Sequence, residues 1–355
     1  MKIVFTGGGT AGHIYPLIAV AECLPNCEKI YIGGNGIEKE IMLKQKEFKY
    51  IQIPTVKFER KITLKNLLIP FKLSKSVKIC KNLLKKLNPD AIFSKGGYVS
   101  LPVVYAAKKL KIPIISHESD ISLGLANKLI LRKCNVMCTT FEETAKKHKK
   151  CVFTGQPIRK QITNGKKLSI FQNNKPCLLV LGGSLGAKYL NEIIYNNIGE
   201  LLKTYNIIHI CGKQNNKIEE RIGYKLIPYA ENIEDLYKTA DIVVSRAGSG
   251  VINELLSNRK PMLLIPLPKK CSRGDQIENA IEFKKKKYAQ ILFEEDYNFE
   301  KFNNEINFLL NNKENIVKNM ESTSEKPSAE IIAKIIKNHI KWYFNVILFK
   351  IFNYI

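Results

Sequence analysis

At 355 residues the chain exceeds one comfortable hydrophobic core, so two domains are expected, and an apolar fraction of 45% is that of an ordinary globular protein. A net charge of +25 gives a surface that seeks polyanions (nucleic acid, anionic lipid or phosphorylated substrates), although Lys over-used along the whole chain accounts for part of it. No run of about 20 apolar residues occurs, so no membrane-spanning helix is expected. The nine cysteines show neither CxxC nor zinc-like Cys/His spacing, so they read as reduced, buried thiols of a cytosolic protein. The first strand begins at Lys2, so no signal peptide is expected.

Lys2–Thr6 is a short strand-like run that ends directly in Gly7–Gly8–Gly9–Thr10–Ala11–Gly12–His13, before a helix over Pro16–Leu24. This is G-x-G-x-x-G between a strand and a helix, the arrangement of a dinucleotide site. A nicotinamide enzyme also needs an acidic residue closing the next strand, and Lys29–Ile32 closes on Gly33–Gly34 instead. What remains is the physics of the loop, whose glycines let the backbone approach something bulky and anionic. His13 stands at its lip, and an imidazole there suits proton transfer from a hydroxyl nucleophile.

Val56–Lys72 interleaves Phe58, Ile62, Leu64, Leu67, Leu68, Ile69 and Phe71 with Lys57, Arg60, Lys61, Lys65 and Lys72. Pro70 limits any helix to the middle of this segment. Apolar residues ringed by cations suit a surface that dips into an anionic bilayer face. Five cations at about 1 kcal/mol each supply at most about 5 kcal/mol, a weak and reversible association. Leu73–Leu87 is helical, with Leu73, Val77, Cys80, Leu84 and Leu87 on one stripe. Ala91–Ser94 is the next strand, Gly96–Gly97 a strand-to-helix turn, and Leu101–Leu110 a helix. Ile112–Ser116 then delivers His117–Glu118–Ser119–Asp120 at a strand end, where ligands of open α/β sheets bind. Glu118 and Asp120 there are candidates to orient sugar hydroxyls or to help His13 take a proton, and the residues alone leave the base open among these three.

Phe153–Arg159 is the expected crossover. Pro176–Leu181 opens a second βαβ series, and Gly182–Ala187 repeats the glycine-loop logic, with Ser184 placed to donate to a phosphate oxygen. Ile207–Ile210, Lys225–Ile227 and Ile242–Val244 continue the strands. The turn Arg246–Ala247–Gly248–Ser249–Gly250 leads into the helix Val251–Leu256, an anion seat with Glu254 set to accept two hydrogen bonds from a diol such as a ribose. Met262–Pro266 and Arg273–Gly274–Asp275–Gln276 follow. Ala329–Trp342 is expected to be helical, and the tail to Ile355 is dense in aromatics and aliphatics.

These motifs, in this order, carry a resemblance. GGGTAGH at Gly7–His13, SKGGYVSLP at Ser94–Pro102, HESD at His117–Asp120, GGSLGA at Gly182–Ala187, SRAGSGVINE and DQIENA are similar to those of the bacterial peptidoglycan glycosyltransferases of the MurG family, over nearly the whole chain to about Ala280. The resemblance implies an α/β fold of two Rossmann-like domains facing a cleft, with residues 1–156 on the acceptor and membrane side and 157–328 holding the donor. By fold analogy, 329–355 returns to the first domain. It implies inverting transfer of N-acetylglucosamine from UDP-GlcNAc to the 4-hydroxyl of an undecaprenyl-diphospho-muramyl-pentapeptide, lipid I, giving lipid II. The implied site is His13 and Glu118 for catalysis, with Thr10, Ala11, Gly12, Asp120, Arg159, Ser184, Ala230, Ser249, Gly250, Glu254 and Gln276 around the donor. Within it, Arg159 and Ser184 meet the diphosphate, Ala230 the uracil and Gln276 the sugar hydroxyls. Asp120 departs from relatives that carry Asn there, and a carboxylate accepts but cannot donate. Phe58, Lys61, Leu64, Lys65, Leu67 and Leu68 are the implied membrane surface, on the cytoplasmic face of the cell membrane as a peripheral protein. With no Asp-x-Asp pair in the sequence, no metal or other cofactor is expected. A UDP-GlcNAc 2-epimerase or a glycolipid glycosyltransferase of the same fold is the alternative. Nucleic acid is not an expected partner, because the lysines are spread over many helices rather than gathered with aromatics along a groove.

Overall fold

The computed structural model describes residues 1–55, 69–182, 186–212, 219–322 and 327–352, the last ten of these as helical backbone alone. Phe58, Lys61, Leu64, Lys65, Leu67, Leu68 and Ser184 lie outside the described residues. The chain divides into two compact units, one of Met1–Arg159 with the C-terminal stretch from Lys326, the other of Lys160–Glu325.

The first unit winds β1 (Lys2–Thr6), α1 (Tyr15–Glu22), β2 (Glu28–Gly33), α2 (Ile37–Met42), β3 (Phe48–Gln52), α3 (Ile69–Leu87), β4 (Ala91–Ser94), α4 (Ser100–Lys109), β5 (Ile114–Glu118), α5 (Leu125–Leu131), β6 (Val136–Thr139), α6 (Glu142–Lys147) and β7 (Cys151–Phe153). Its seven strands are parallel in the order β3-β2-β1-β4-β5-β6-β7. The strands read as continuous apolar runs because helices cover both faces. Alternation along β1 divides the core: Ile3 and Phe5 pack with α1, while Val4 packs toward α3 and α4. The stripe expected on α3 is the one that packs, with Val77, Cys80 and Leu84 buried and Leu73 and Leu87 partly so. Pro70 stands in the first described turn of this helix, and the middle of the 56–72 segment, to which the sequence confines a helix, lies outside the described residues.

The second unit repeats the plan with β8 (Cys177–Leu181), α7 (Lys188–Thr204), β9 (Asn206–Ile210), β10 (Tyr224–Ile227), α8 (Ile233–Thr239), β11 (Ile242–Ser245), α9 (Ser249–Ser257), β12 (Met262–Leu264), α10 (Asp275–Lys285), β13 (Ala289–Ile291), α11 (Phe299–Asn311) and α12 (Lys313–Glu321). Its parallel sheet runs β10-β9-β8-β11-β12-β13. The last helix, α13 (Ser328–Phe352), buries Ile332, Ala333 and Ile336 in the core of the first unit. It is ten residues longer than the Ala329–Trp342 helix expected at its C-terminal end.

All nine cysteines are free, and burial pushes the thiols of Cys80, Cys134, Cys138 and Cys177 up to about 12, so they are inert. Cys271 differs from the expectation of buried thiols and is exposed.

Candidate functional site

Ligands of open parallel sheets bind beyond the carboxyl ends of the strands where the order reverses. In the first sheet that point lies between β1 and β4, and in the second between β8 and β11. The glycine loops sit at those four strand ends.

In the first unit, Ala11–His13 forms a single 3-10 turn after β1. Thr10 Oγ1 lies 2.9 Å from His13 Nδ1, which fixes the ring at the loop edge. Thr10 and Gly12 are exposed, whereas the Ala11 side chain is buried, so only its backbone can serve a ligand. The Arg159 guanidinium stacks on Tyr15, 4.1 Å from the ring centroid, and Tyr15 is two residues past His13 in the chain. Its buried Nε has no hydrogen-bond partner among the described residues. Glu118 closes β5 and is 5% exposed; its oxygens accept from Asp120 N (3.1 Å), Gly124 N (2.9 Å) and Asn127 Nδ2 (2.9 Å). Three donors on one carboxylate hold the turn after β5 and occupy both of its oxygens.

Beneath that turn lies Lys95, 1% exposed, whose Nζ donates to Ser119 Oγ. Ser119 Oγ in turn donates to Gln156 Oε1 at 2.9 Å, which also accepts from Thr140. Burial pushes the Lys95 ammonium down to about 8, against the pull of Glu118 and Asp120. Between pH 8 and the ordinary value of 10.5 the unfolded chain holds a proton that folded Lys95 has released, so its contribution to stability rises with pH in that window. Urea unfolding of the parent and of Lys95→Met in parallel should therefore show the parent gaining about 2 kcal/mol on the variant from pH 7.5 to 10. A difference independent of pH would show that Lys95 is not a buried ammonium.

The glycines fall into two kinds. A Cβ on Gly97, whose φ is +78°, would lie 2.4 Å from Gly8 O, and one on Gly8 would lie 2.8 Å from Val99 Cγ2. The β1 and β4 loops thus pack backbone on backbone, and the fold itself requires these two glycines. Gly182 and Gly186 are likewise filled by Ala187 N at 2.2 Å and Cys211 O at 2.3 Å. Gly248 and Gly250 are different: a Cβ there meets nothing within 4 Å, and neither has a positive φ. Gly97→Ala should destabilise by about 3 kcal/mol. Gly250→Ala, inside a helix, should raise stability by up to ~1 kcal/mol while weakening sugar-nucleotide binding. Thermal unfolding and UDP titration of the two variants check both halves; unimpaired UDP binding by Gly250→Ala would remove that glycine from the site.

In the second unit a hollow of about 550 Å³ opens beyond β8, β11 and β12, lined by Gly186, Tyr189, Arg246, Gly248, Gln276 and Glu294 among others. Ser249 begins α9 with its side chain buried beside Asn253. Glu254, one turn on, accepts from Tyr237 OH at 2.9 Å through Oε2. Gln276 Oε1 accepts from Leu267 N at 3.1 Å, which orients its amide nitrogen as the donor for a ligand. Ala230 lies in the turn between β10 and α8, the helix that supplies Tyr237. Gln276 and Gly248 are thus brought to one hollow, and Glu254 is anchored through the segment that carries Ala230.

Like that of Lys95, the burial of Arg246 and of Glu38 went unread in the sequence. Arg246, 8% exposed, donates to Ile265 O at 2.9 Å and pairs with Glu294 at 2.7 Å, tying β11 to the chain after β12 and β13. Glu38 is fully buried and accepts from Gly34 N at 3.2 Å and Gly9 N at 3.5 Å, so it joins the loops after β1 and β2. An acidic residue just past Gly33, Gly34 and Gly36 was the available signal, because carboxylates seek unpaired N–H groups. Among the described residues no three His, Cys, Asp or Glu side chains gather as a metal cage, and no helix is long and apolar enough to cross a membrane.

The chain matches the glycosyltransferase family 28 N-terminal domain over residues 3–139 and the C-terminal domain of that family over 177–335. It is 46% identical to a Clostridium botulinum (strain Alaska E43 / Type E3) protein named UDP-N-acetylglucosamine--N-acetylmuramyl-(pentapeptide) pyrophosphoryl-undecaprenol N-acetylglucosamine transferase, over 96% of this chain and 99% of that one. Among solved structures, Acinetobacter baumannii MurG superposes with a TM-score of 0.75 at 25% identity, over 95% of this chain and 99% of the other. A UDP-GlcNAc 2-epimerase from Neisseria meningitidis bound to UDP-GlcNAc gives 0.65 at 15% identity over 96% and 99%, a likeness of fold alone.

Proposed function

The chain belongs to glycosyltransferase family 28, and on that premise we propose how it transfers N-acetylglucosamine from UDP-GlcNAc to an undecaprenyl-diphospho-muramyl-pentapeptide, converting lipid I to lipid II. The observation that carries this reading is the 46% identity over 96% of the chain to a relative named for that reaction. The donor lies on the second unit, over the hollow beyond β8 and β11. Glu254 accepts from the two ribose hydroxyls, Gln276 holds the sugar, and the turn carrying Ala230 receives the uracil. Ser249 and Gly250, at the start of α9, receive the diphosphate, with Ser184 and Arg159 given the same role by the family resemblance.

The acceptor is handled by the first unit. Its 4-hydroxyl oxygen bonds to the anomeric carbon as the bond from that carbon to the UDP oxygen breaks, with inversion. The hydroxyl proton passes to His13, and UDP departs as the anion. Thr10, Ala11 and Gly12 form the loop that holds His13, and Glu118 positions the turn that presents Asp120. Charge developing on the diphosphate is met by Arg159 and by the amide-rich helix starts, with no step assigned to a metal. The enzyme works at the cytoplasmic face of the membrane as a peripheral protein, and the Lys-rich apolar segment of 56–72 supports that placement.

Incubation with radiolabelled UDP-GlcNAc and a short-chain lipid I analogue, in EDTA, tests the reading. Label in the lipid product is expected at the same rate with and without EDTA. Free UDP or an altered sugar without lipid label would give the reaction to the epimerase class, and loss of labelling in EDTA would overturn metal-independent turnover.

A further inference from the structure

Along the C-terminal helix the side chains turn from buried to exposed by Trp342. Among the residues of α13 up to Trp342, Ile336 is the last that is fully buried and Ile340 still packs partly buried against the core, while Lys337, Asn338, Lys341 and Trp342 are exposed, Trp342 by 59%. The helical backbone then continues to Phe352, ten residues or about 15 Å of helix beyond Trp342. In the sequence of that extension, seven of the ten residues from Tyr343 to Phe352 are Val, Ile, Leu or Phe. Just before it, Lys334, Lys337 and Lys341 recur at helical spacing on one face, around a shallow hollow that also takes in Met1, Asp90 and Glu330. A cationic stretch followed by an apolar one, on a helix too short in its apolar part to cross a bilayer, matches an element that lies at a lipid surface.

We propose that the end of α13, from Lys334 to Phe352, is a contact for anionic phospholipid bilayers, separate from the segment of 56–72. The three lysines meet the headgroups, and the apolar extension enters the boundary between headgroups and acyl chains. The basic chain as a whole, at +25, favours an anionic lipid surface over a second copy of itself, since two such copies repel. The proposal extends the peripheral placement above but stands on its own observations, and its test does not use the transferase reaction.

Trp342 is the single tryptophan of the chain, so its fluorescence reads this helix alone. The full chain is titrated with phosphatidylglycerol–phosphatidylcholine vesicles, and emission and vesicle flotation are recorded at low and high salt. A blue shift of Trp342 is expected on anionic vesicles, weakened in high salt and by Lys334→Glu/Lys337→Glu/Lys341→Glu. A chain ending at Trp342 should bind those vesicles at least tenfold more weakly while keeping its thermal unfolding temperature. Flotation without any Trp342 shift would overturn the proposal, because lipid would then be held elsewhere. A shift that depends on protein concentration and not on lipid would overturn it in favour of self-association. Failure of lipid labelling in the transferase assay would leave this readout unchanged, so the two readings fall separately.

Discussion

Glu254→Ala is expected to lower kcat/KM for UDP-GlcNAc by about 10²–10³-fold and to weaken UDP binding to a similar degree. A carboxylate holding two ribose hydroxyls makes two charge-assisted hydrogen bonds, at about 1.5–3 kcal/mol each before compensation by water. The effect should appear in donor binding rather than in the chemical step, because the ribose does not change as the glycosidic bond breaks. Tyr237 OH holds Glu254 Oε2 at 2.9 Å, so Tyr237→Phe should cost a smaller loss, about tenfold, through the same step. Calorimetric titration with UDP, beside kcat and KM for the donor, separates the terms. Normal UDP affinity in Glu254→Ala would end the ribose assignment, and a collapse in its thermal stability would make the residue structural.

His13→Ala should behave in the opposite way, with kcat falling by about 10²–10⁴-fold and donor affinity held. Thr10 Oγ1 at 2.9 Å engages Nδ1, so the mechanism assigns the acceptor proton to Nε2 and gives Thr10 the task of fixing the ring. Thr10→Val should then lower kcat modestly without shifting the KM of the donor. The pH profile of kcat/KM for the acceptor should lose its acid limb in His13→Ala. If the variant keeps that limb or near-full kcat, another group removes the proton. Glu118 is a poor successor, since its carboxylate is already shared among three donors within 3.1 Å. Asp120 on the same turn is then the next residue to replace.

The repeated plan of strand, glycine loop and helix was legible because parallel strands covered on both faces are written as uninterrupted apolar runs, and β1, β8 and β11 are such runs. The packing stripe of α3 was legible for a similar reason, since helix period fixes which residues share a face. The reason for each glycine was not. Gly97 is small because Gly8 O, 89 positions away in the chain, approaches the place of its Cβ, while Gly250 is small beside open space. Both read as G in a loop. The buried roles of Lys95, Glu38 and Arg246 were equally hidden, for each rests on partners that only the fold brings near: Ser119, Gly9 and Glu294. Local periodicity is a property of neighbouring residues and can be read along the chain. The burial of a charge, or the closeness of two backbones, is a property of strand order, and it exists only once the sheet has been assembled.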